Sequence, residues 1–212
     1  MSTTGALHSS YCLLLLALFI VPSAWSAEPV KVSVYYESLC PDSSRFFVNQ
    51  LYPVWLELKD IMANDIHCYG KANDTAVGDG YTFICQHGPD ECEGNMMITC
   101  AKSYIPDEDK FMAFSNCIMD RFVGTAAGQE CAQEAGVTNF SEIETCYTSV
   151  EGQQLLHQVG LLQETLDPQI YYVPWILIND VFTSEQLTAA QIALRKVVCD
   201  AYQGTPPAAC ST

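Results

Sequence analysis

Cysteine content is the feature that most restricts what this chain can fold into. The 212 residues include 11 cysteines, a density that cytosolic proteins rarely carry and that exported domains use for disulfide cross-links. A leucine-rich apolar run from Tyr11 to Val21 is too short to cross a bilayer and is followed by small residues, so residues 1–27 are predicted to be a signal peptide. Cleavage is expected near residues 24–27, which removes Cys12 from the mature protein.

The mature chain, residues 28–212, is long enough for one domain with a sizeable insertion. It carries 25 acidic residues against 9 Lys and Arg, a net charge of -16, which argues against nucleic acid or an anionic membrane as a partner. No later apolar run is long enough to span a membrane. Asn73 and Asn139 lie in Asn-x-Ser/Thr sequons and are predicted glycosylation sites on surface loops.

The first part of the mature chain has the pattern of a βαβ unit. Alternating β-branched and aromatic residues predict a strand at Val30–Tyr36, which ends shortly before Cys40. Apolar residues recur at helical spacing over Ser43–Met62, where Pro53 is expected to kink the helix. A second short strand is predicted at Ile66–Tyr69, parallel to the first because a helical crossover separates them. The strand-to-helix junction therefore lies at the carboxyl edge of a sheet.

The rest of the chain predicts a helical insertion followed by a return to the sheet. Cysteine-rich segments with helical patterns, such as Lys110–Phe122 and Ser149–Glu164, indicate an insertion at about residues 86–166. A strand follows at Trp175–Ile178, and a helix with a capping-box pattern begins at Thr183. This order favours an α/β, thioredoxin-like fold with a helical, disulfide-rich insertion.

Cys40-Pro41-Asp42-Ser43 lies at the first strand-to-helix junction. Free backbone N–H groups and the helix dipole favour an anion there, so Cys40 is the candidate nucleophilic thiolate, with a structural disulfide as the alternative. In a dithiol site a second cysteine three positions later releases the product, but Ser43 is found there, and its hydroxyl is too weakly acidic to displace a sulfur. The sequence therefore predicts a monothiol site that depends on an external thiol or another cysteine.

Cys68 is the internal candidate for that second thiol, because it ends the second strand at the same sheet edge as Cys40. An unpaired buried thiol is the alternative, and both remain open. The other cysteines are candidates for structural disulfides: Cys85, Cys92, Cys100, Cys117, Cys131, Cys146, Cys199 and Cys210. Only the pair Cys199 and Cys210 is singled out, as a short link between the last helix and the tail.

The segment Cys85–Cys100 combines three cysteines with His87. Its spacing lacks the Cys-x2-Cys pairs of zinc modules and an exported protein favours disulfides, so no metal is expected. His87 is expected to be hydrogen-bonded in a tight turn, with tuning of a nearby thiolate as the alternative.

The same segment also carries a family resemblance. Cys85-Gln86-His87-Gly88, Glu91-Cys92, Asn95 and Cys100 match the signature CQHGxxECxxNxxxxC of the gamma-interferon-inducible lysosomal thiol reductase (GILT) family, which the chain resembles from about Val30 to Cys210. The resemblance implies a thioredoxin-like fold and an enzyme that reduces protein disulfides at acidic pH in endosomes and lysosomes, with a precursor that is also secreted. It further implies that Pro174 is a cis-proline that faces Cys40 and orients an extended substrate; an ordinary turn proline is the alternative.

Two departures from the family pattern leave two hypotheses open. Ser43 replaces the second cysteine of the family's Cys-x-x-Cys site, and Cys68 stands where relatives typically have a proline. The first hypothesis is a GILT-like oxidoreductase of reduced activity, which acts through Cys40 on disulfide-containing proteins, without a cofactor and with an external small thiol as reductant. The second is a secreted, non-catalytic scaffold that binds a protein partner. A secreted or endosomal-lysosomal location is expected for either.

Overall fold

The computed structural model describes residues 27–211, so the predicted signal peptide lies almost entirely outside the described residues. Strands β1 to β5 span Val30–Tyr36, Met62–Cys68, Asn73–Val77, Gly80–Ile84 and Trp175–Ile178. Helices α1 to α8 span Pro41–Phe46, Tyr52–Leu58, Pro89–Tyr104, Glu108–Arg121, Gly128–Glu134, Phe140–Tyr147, Val150–Glu164 and Ser184–Ala201. None of these helices has both the length and the apolar character that crossing a bilayer requires.

Strand β1 is the centre of a three-stranded sheet of order β2-β1-β5. It pairs in parallel with β2, as predicted, from Val30 opposite Met62 to Tyr36 opposite Cys68, and it pairs antiparallel with β5. Side chains on both faces of β1 are buried, which is typical of a strand covered by helices on each side. Burial of each large apolar side chain of this kind stabilises the fold by about 1.5–3 kcal/mol. The thioredoxin-like fold class predicted from the sequence is confirmed.

The helical run after β1 consists of α1, a π-helical turn and α2, which follow one another without a gap. Between α1 and α2 lies a π-helical turn, Phe47–Leu51, in which the Tyr52 N–H donates to the carbonyl of Phe47. Pro53 falls in the first turn of α2, where its missing N–H removes the least hydrogen bonding. The expected irregularity near this proline is therefore a π turn inside the helical run.

The prediction that this helix reaches Met62 is wrong. It ends at Leu58, and Met62 is instead the first residue of β2, which is longer than the predicted Ile66–Tyr69. The backbone N–H of Val30 donates to the carbonyl of Ile61 at 2.7 Å, so this part of the chain is held beside β1. Ile61 and Met62 are apolar side chains that are buried beside the sheet. Their positions happen to match the helical spacing of the preceding residues, so the predicted helix was too long.

The hairpin β3–β4 was not predicted from the sequence. Its two strands are joined by the two-residue loop Gly78–Asp79, and Gly78 has a positive φ of 58° that glycine adopts readily. The hairpin packs on α7, where the Tyr81 N–H donates to Gln153 at 3.0 Å and His157 bonds Asp74 at 3.0 Å.

The predicted helical insertion is present as α3 to α7. The expected helices Lys110–Phe122 and Ser149–Glu164 correspond to α4 and α7. Strand β5 has the predicted bounds, and Thr183 caps α8 as predicted, by accepting the Gln186 N–H at 3.1 Å.

Disulfides in the described residues join Cys85 to Cys92, Cys100 to Cys146, Cys117 to Cys131 and Cys199 to Cys210.

Candidate active site

Cys40 lies at the start of the helical run that follows β1. It is the N-cap residue of α1, its thiol is not in a disulfide, and the residue is 7% exposed. Its carbonyl accepts the Ser44 N–H at 2.9 Å, while Pro41 occupies the first turn. The first N–H groups of a helix have no partner within the helix, so Cys40 lies at the positive end of the helix dipole.

Ser43 occupies the position of the second cysteine of a dithiol site. It is 1% exposed, and its hydroxyl oxygen accepts the backbone N–H of Glu37 at 3.4 Å. The side chain therefore points into the turn before Cys40. This buried hydroxyl supports the local backbone but supplies no thiol.

Cys68 is also a free thiol, but its surroundings differ. It is 2% exposed, and its Sγ lies 3.1 Å from Asn95 Oδ1, to which the S–H donates. Burial raises the pKa of the Cys68 thiol well above its usual range, and the carboxylates of Glu91 and Glu37 raise it further. The structure places Cys40 and Cys68 on adjacent strand ends without a bond between them.

Helix α3 holds the turn that precedes Cys40. The Ser38 N–H donates to Asn95 Oδ1 at 2.9 Å, and the Ser38 hydroxyl donates to the carbonyl of Glu91 at 3.1 Å. A Cβ on Gly94 would lie 2.5 Å from Ser38 Oγ, so only glycine permits this close approach. Gly94 and the signature residue Asn95 thus position the backbone that precedes Cys40.

A buried carboxyl pair lies beside this turn, and the sequence analysis missed it. Glu37 and Glu91 are both 0% exposed, and His87 Nδ1 lies 2.5 Å from Glu91 Oε2 and 3.4 Å from Glu37 Oε2. The Lys71 N–H donates to Glu37 Oε1 at 2.7 Å. Burial raises the pKa of Glu37, and the neighbouring Glu91 adds to this. The sequence feature that could have indicated this buried pair is an acidic residue, Glu37, directly after the apolar strand β1.

His87 and Cys40 belong to the same cluster. The His87 N–H donates to Glu91 Oε1 at 3.0 Å, in agreement with the expected hydrogen-bonded turn, and the Cys85–Cys92 disulfide closes the loop around it. One ligand-type atom from each of Glu37, Cys40 and His87 lies within 4.8 Å of the others. A thiol, an imidazole and two carboxyl groups are therefore in one small volume.

Pro174 lies in a groove next to α1. The Val173–Pro174 bond is cis. The groove has a volume of about 320 Å³ and is lined by Asp42, Arg45, Phe46, Tyr172, Val173, Pro174, Gln191 and Ile192. Asp42 and Arg45, which line it on one side, belong to the helix that begins after Cys40.

The predicted glycosylation sites have different surroundings. Asn73 is exposed but is the first residue of β3, so the expectation of a loop is wrong at this site, because the chain pairs there with β4. Asn139 is the N-cap residue of α6, and its Nδ2 donates to the Tyr104 carbonyl at 3.0 Å. The Asn73 side chain is thus the more open of the two.

Comparison with known proteins identifies the family. The family model "Gamma interferon inducible lysosomal thiol reductase (GILT)" matches residues 31–135. A gamma-interferon-inducible lysosomal thiol reductase of Carassius auratus is 40% identical over 190 residues, which cover 88% of this chain and 74% of that protein. The chain belongs to the GILT family. GILT-like protein 1 of Drosophila melanogaster is 36% identical over 218 residues, covering 96% of this chain and 87% of that protein.

Solved structures similar to this GILT-family chain show the same fold. The disulfide bond oxidoreductase DsbG of Mycobacterium tuberculosis matches with a TM-score of 0.57 at 19% identity, covering 86% of this chain and 84% of that chain. DsbA of the same organism matches with a TM-score of 0.56 at 17% identity, covering 86% and 88%. The family resemblance drawn from the CQHG signature is confirmed, and the family's chemistry is that of a thiol-disulfide oxidoreductase.

Proposed function

We propose that this GILT-family protein is a monothiol oxidoreductase that forms mixed disulfides with protein substrates through Cys40. The observation that carries the proposal is a free Cys40 at a helix start with a serine, Ser43, in place of its usual partner. Cys40 thiolate attacks one sulfur of a substrate disulfide, and the other substrate sulfur leaves as a thiolate that takes a proton from solvent.

Release of the substrate then depends on an external small thiol. The first donor thiolate attacks the mixed disulfide and frees the substrate thiol; a second attacks the resulting donor adduct, forms the donor disulfide and returns Cys40 as a thiolate. Two donor thiols are oxidised for each substrate disulfide reduced. No other cofactor enters the cycle. Cys68 is a poor substitute for the donor, because its raised pKa keeps it a neutral thiol and the thiolate is the nucleophile.

The groove beside Pro174 supports disulfide-containing proteins as substrates. It combines aromatic and apolar side chains with the Asp42–Arg45 ion pair, which spans 3.1 Å. An extended segment that carries a cysteine can lie there while its sulfur reaches Cys40. The family's lysosomal members and the sequons at Asn73 and Asn139 support a secretory or endolysosomal route.

A second candidate function is a non-catalytic scaffold that binds a protein partner. Low exposure of Cys40 and the loss of the second cysteine at Ser43 favour it. Under this hypothesis the groove near Pro174 binds a partner without sulfur exchange.

Insulin reduction in the presence of a donor thiol separates the two functions. The mature protein, Cys40→Ser and Cys68→Ser are compared at acidic and neutral pH. Oxidoreductase function predicts turnover that is lost in Cys40→Ser and retained in Cys68→Ser. Absence of turnover in the wild type at both pH values supports the scaffold instead.

A further inference from the structure

We infer that Cys40, His87 and Glu37 form a binding site for Zn²⁺ that reversibly covers the nucleophilic thiol. The inference concerns regulation of the site and rests on the proposed function, because covering matters only if Cys40 is the reactive group. It differs from the expectation of no metal, which considered only the Cys85–Cys100 segment. Two of the three ligands lie outside that segment, and folding brings them to it.

The donor set is the one that zinc prefers. Thiolate sulfur, imidazole nitrogen and carboxylate oxygen are its three common protein ligands, bound at about 2.0–2.3 Å. One such atom from each of Cys40, His87 and Glu37 lies within 4.8 Å of the other two. Three protein ligands leave a fourth position for water or a substrate group.

An unsatisfied carboxylate oxygen points to a ligand at this place. Glu37 Oε1 accepts the Lys71 N–H, but Glu37 Oε2 is fully buried and has no hydrogen-bond partner, with His87 Nδ1 at 3.4 Å as its ion-pair contact. A buried carboxylate oxygen without a partner is costly and calls for a proton or a cation. Zn²⁺ between Glu37, His87 and Cys40 satisfies it.

The groups around the three ligands fit a metal centre. Histidines that bind metals usually donate their second ring N–H to a carboxylate, which fixes the ring. Glu91 Oε2, 2.5 Å from His87 Nδ1, is a carboxylate placed to fix the ring in this way. The Cys85–Cys92 disulfide and the Glu91 contact with the His87 N–H hold this loop in place.

Because residue 43 is serine, Cys40 lacks an internal disulfide partner, and a bound zinc ion would protect its thiol instead. A dithiol enzyme protects its nucleophile by forming an internal disulfide, but Cys40 has no partner at position 43 and is not bonded to Cys68. When the ion binds, a Zn–S bond forms and the Cys40 S–H proton passes to solvent, with no change in oxidation state. Removal of the ion returns the free thiolate.

Zinc titration of the reduced, metal-free mature protein at neutral pH tests the inference. Calorimetry and competition with a chromogenic chelator measure zinc binding. The rate of alkylation by iodoacetamide measures how far the ion protects the Cys40 thiol. Wild type is expected to bind a single ion per chain and to lose most of its Cys40 alkylation rate when zinc is present. Cys40→Ser and His87→Gln are expected to lose binding, whereas Glu91→Gln weakens it by roughly 10- to 100-fold.

Two control variants keep the test independent of folding and of activity. His157→Gln removes another half-buried histidine that contacts an acidic residue, and Cys68→Ser removes the other free thiol. Both should bind zinc as wild type does, and circular dichroism checks that every variant is folded. Wild type that binds no zinc, or zinc bound equally by folded Cys40→Ser, overturns the inference. Either result leaves insulin reduction by the metal-free protein unaffected, so failure of the proposed function is recognised separately.

Discussion

Cys40 and Cys68 are both free thiols at the carboxyl ends of neighbouring parallel strands, yet their surroundings differ. Cys40 follows its strand by a short turn and is the N-cap residue of α1, a position at which the first N–H groups of a helix have no partner within the helix. Cys68 is the last residue of its strand, is enclosed by protein and donates its S–H to Asn95. The sheet edge therefore brings two free thiols to the same region, and the proposed function assigns the role of nucleophile to the one at the helix start.

The difference teaches why the serine at position 43 matters. A replacement resolving cysteine must be able to become a thiolate, and burial together with Glu91 and Glu37 opposes this at Cys68. Under the proposed function, Cys68 is therefore not expected to replace the cysteine that is missing at position 43.

The largest expected effect is on alkylation. Iodoacetamide should modify Cys40 at least about a hundredfold faster than Cys68 in the folded, reduced protein, because the thiolate is the attacking species and burial keeps Cys68 protonated by raising its pKa. Peptide mapping by mass spectrometry after timed quenching measures both rates. Unfolding in urea is the control, since it should bring the two rates close together. Equal rates in the folded protein contradict the contrast between the two sites.

Restoring the second cysteine should have the next largest effect. Ser43→Cys should speed insulin reduction by at least about tenfold, because an intramolecular thiol has a much higher effective concentration than a donor in solution. It should also make the rate less dependent on the donor thiol. A Ser43→Ala variant is the matched control and should behave as wild type in activity. An unchanged rate in folded Ser43→Cys indicates that Cys40 is resolved in another way.

A smaller effect is expected on the pH dependence of stability. The pKa of Cys68 is higher in the folded than in the unfolded chain, so the folded state holds the proton more tightly. The stability that the protonated Cys68 thiol gives to the folded state is fully present below the ordinary pKa of a cysteine. It is lost as pH rises above that pKa. Cys68→Ser should cost about 1–2 kcal/mol in the free energy of unfolding at neutral pH, and this deficit should shrink at alkaline pH. Urea unfolding at several pH values measures it; a deficit that grows with pH is the contrary result.

The smallest effect concerns the ion pairs on β2. His67 Nε2 lies 2.8 Å from Asp65 and, with Lys102 and Lys31, holds the pKa of Asp65 well below its usual range. The stabilisation is present above the ordinary pKa of an aspartate and is lost as pH falls through the lowered one. Asp65→Asn should therefore cost about 1 kcal/mol at neutral pH and equally at mildly acidic pH. A cost that disappears already at mildly acidic pH is inconsistent with this pair.

Features set by neighbours in sequence were predictable. The bounds of β5, the Thr183 cap and the parallel pairing of the first two strands follow from local pattern and connection length. The position of Cys40 at a helix start follows from the same reasoning, because strand pattern, Cys-Pro and helical spacing occur in succession.

Features set by distant contacts were not predictable. Glu37 becomes a buried partner of His87 only because α3 packs on the turn that precedes Cys40, a contact between residues about 50 positions apart. Met62 looked helical because its apolar side chain fits either element, and only pairing with Val30 assigns it to the sheet. The hairpin β3–β4 carries few buried side chains, so its hydrophobic pattern was weak.

Intact-mass spectrometry of the reduced protein mixed with oxidised glutathione tests the monothiol account most directly. We predict a single glutathione adduct on Cys40 that persists until a small thiol is added, while Ser43→Cys passes quickly to an internal disulfide. An adduct on wild type that disappears without added thiol, with formation of a Cys40–Cys68 disulfide, would contradict the account, as would the absence of any adduct on Cys40.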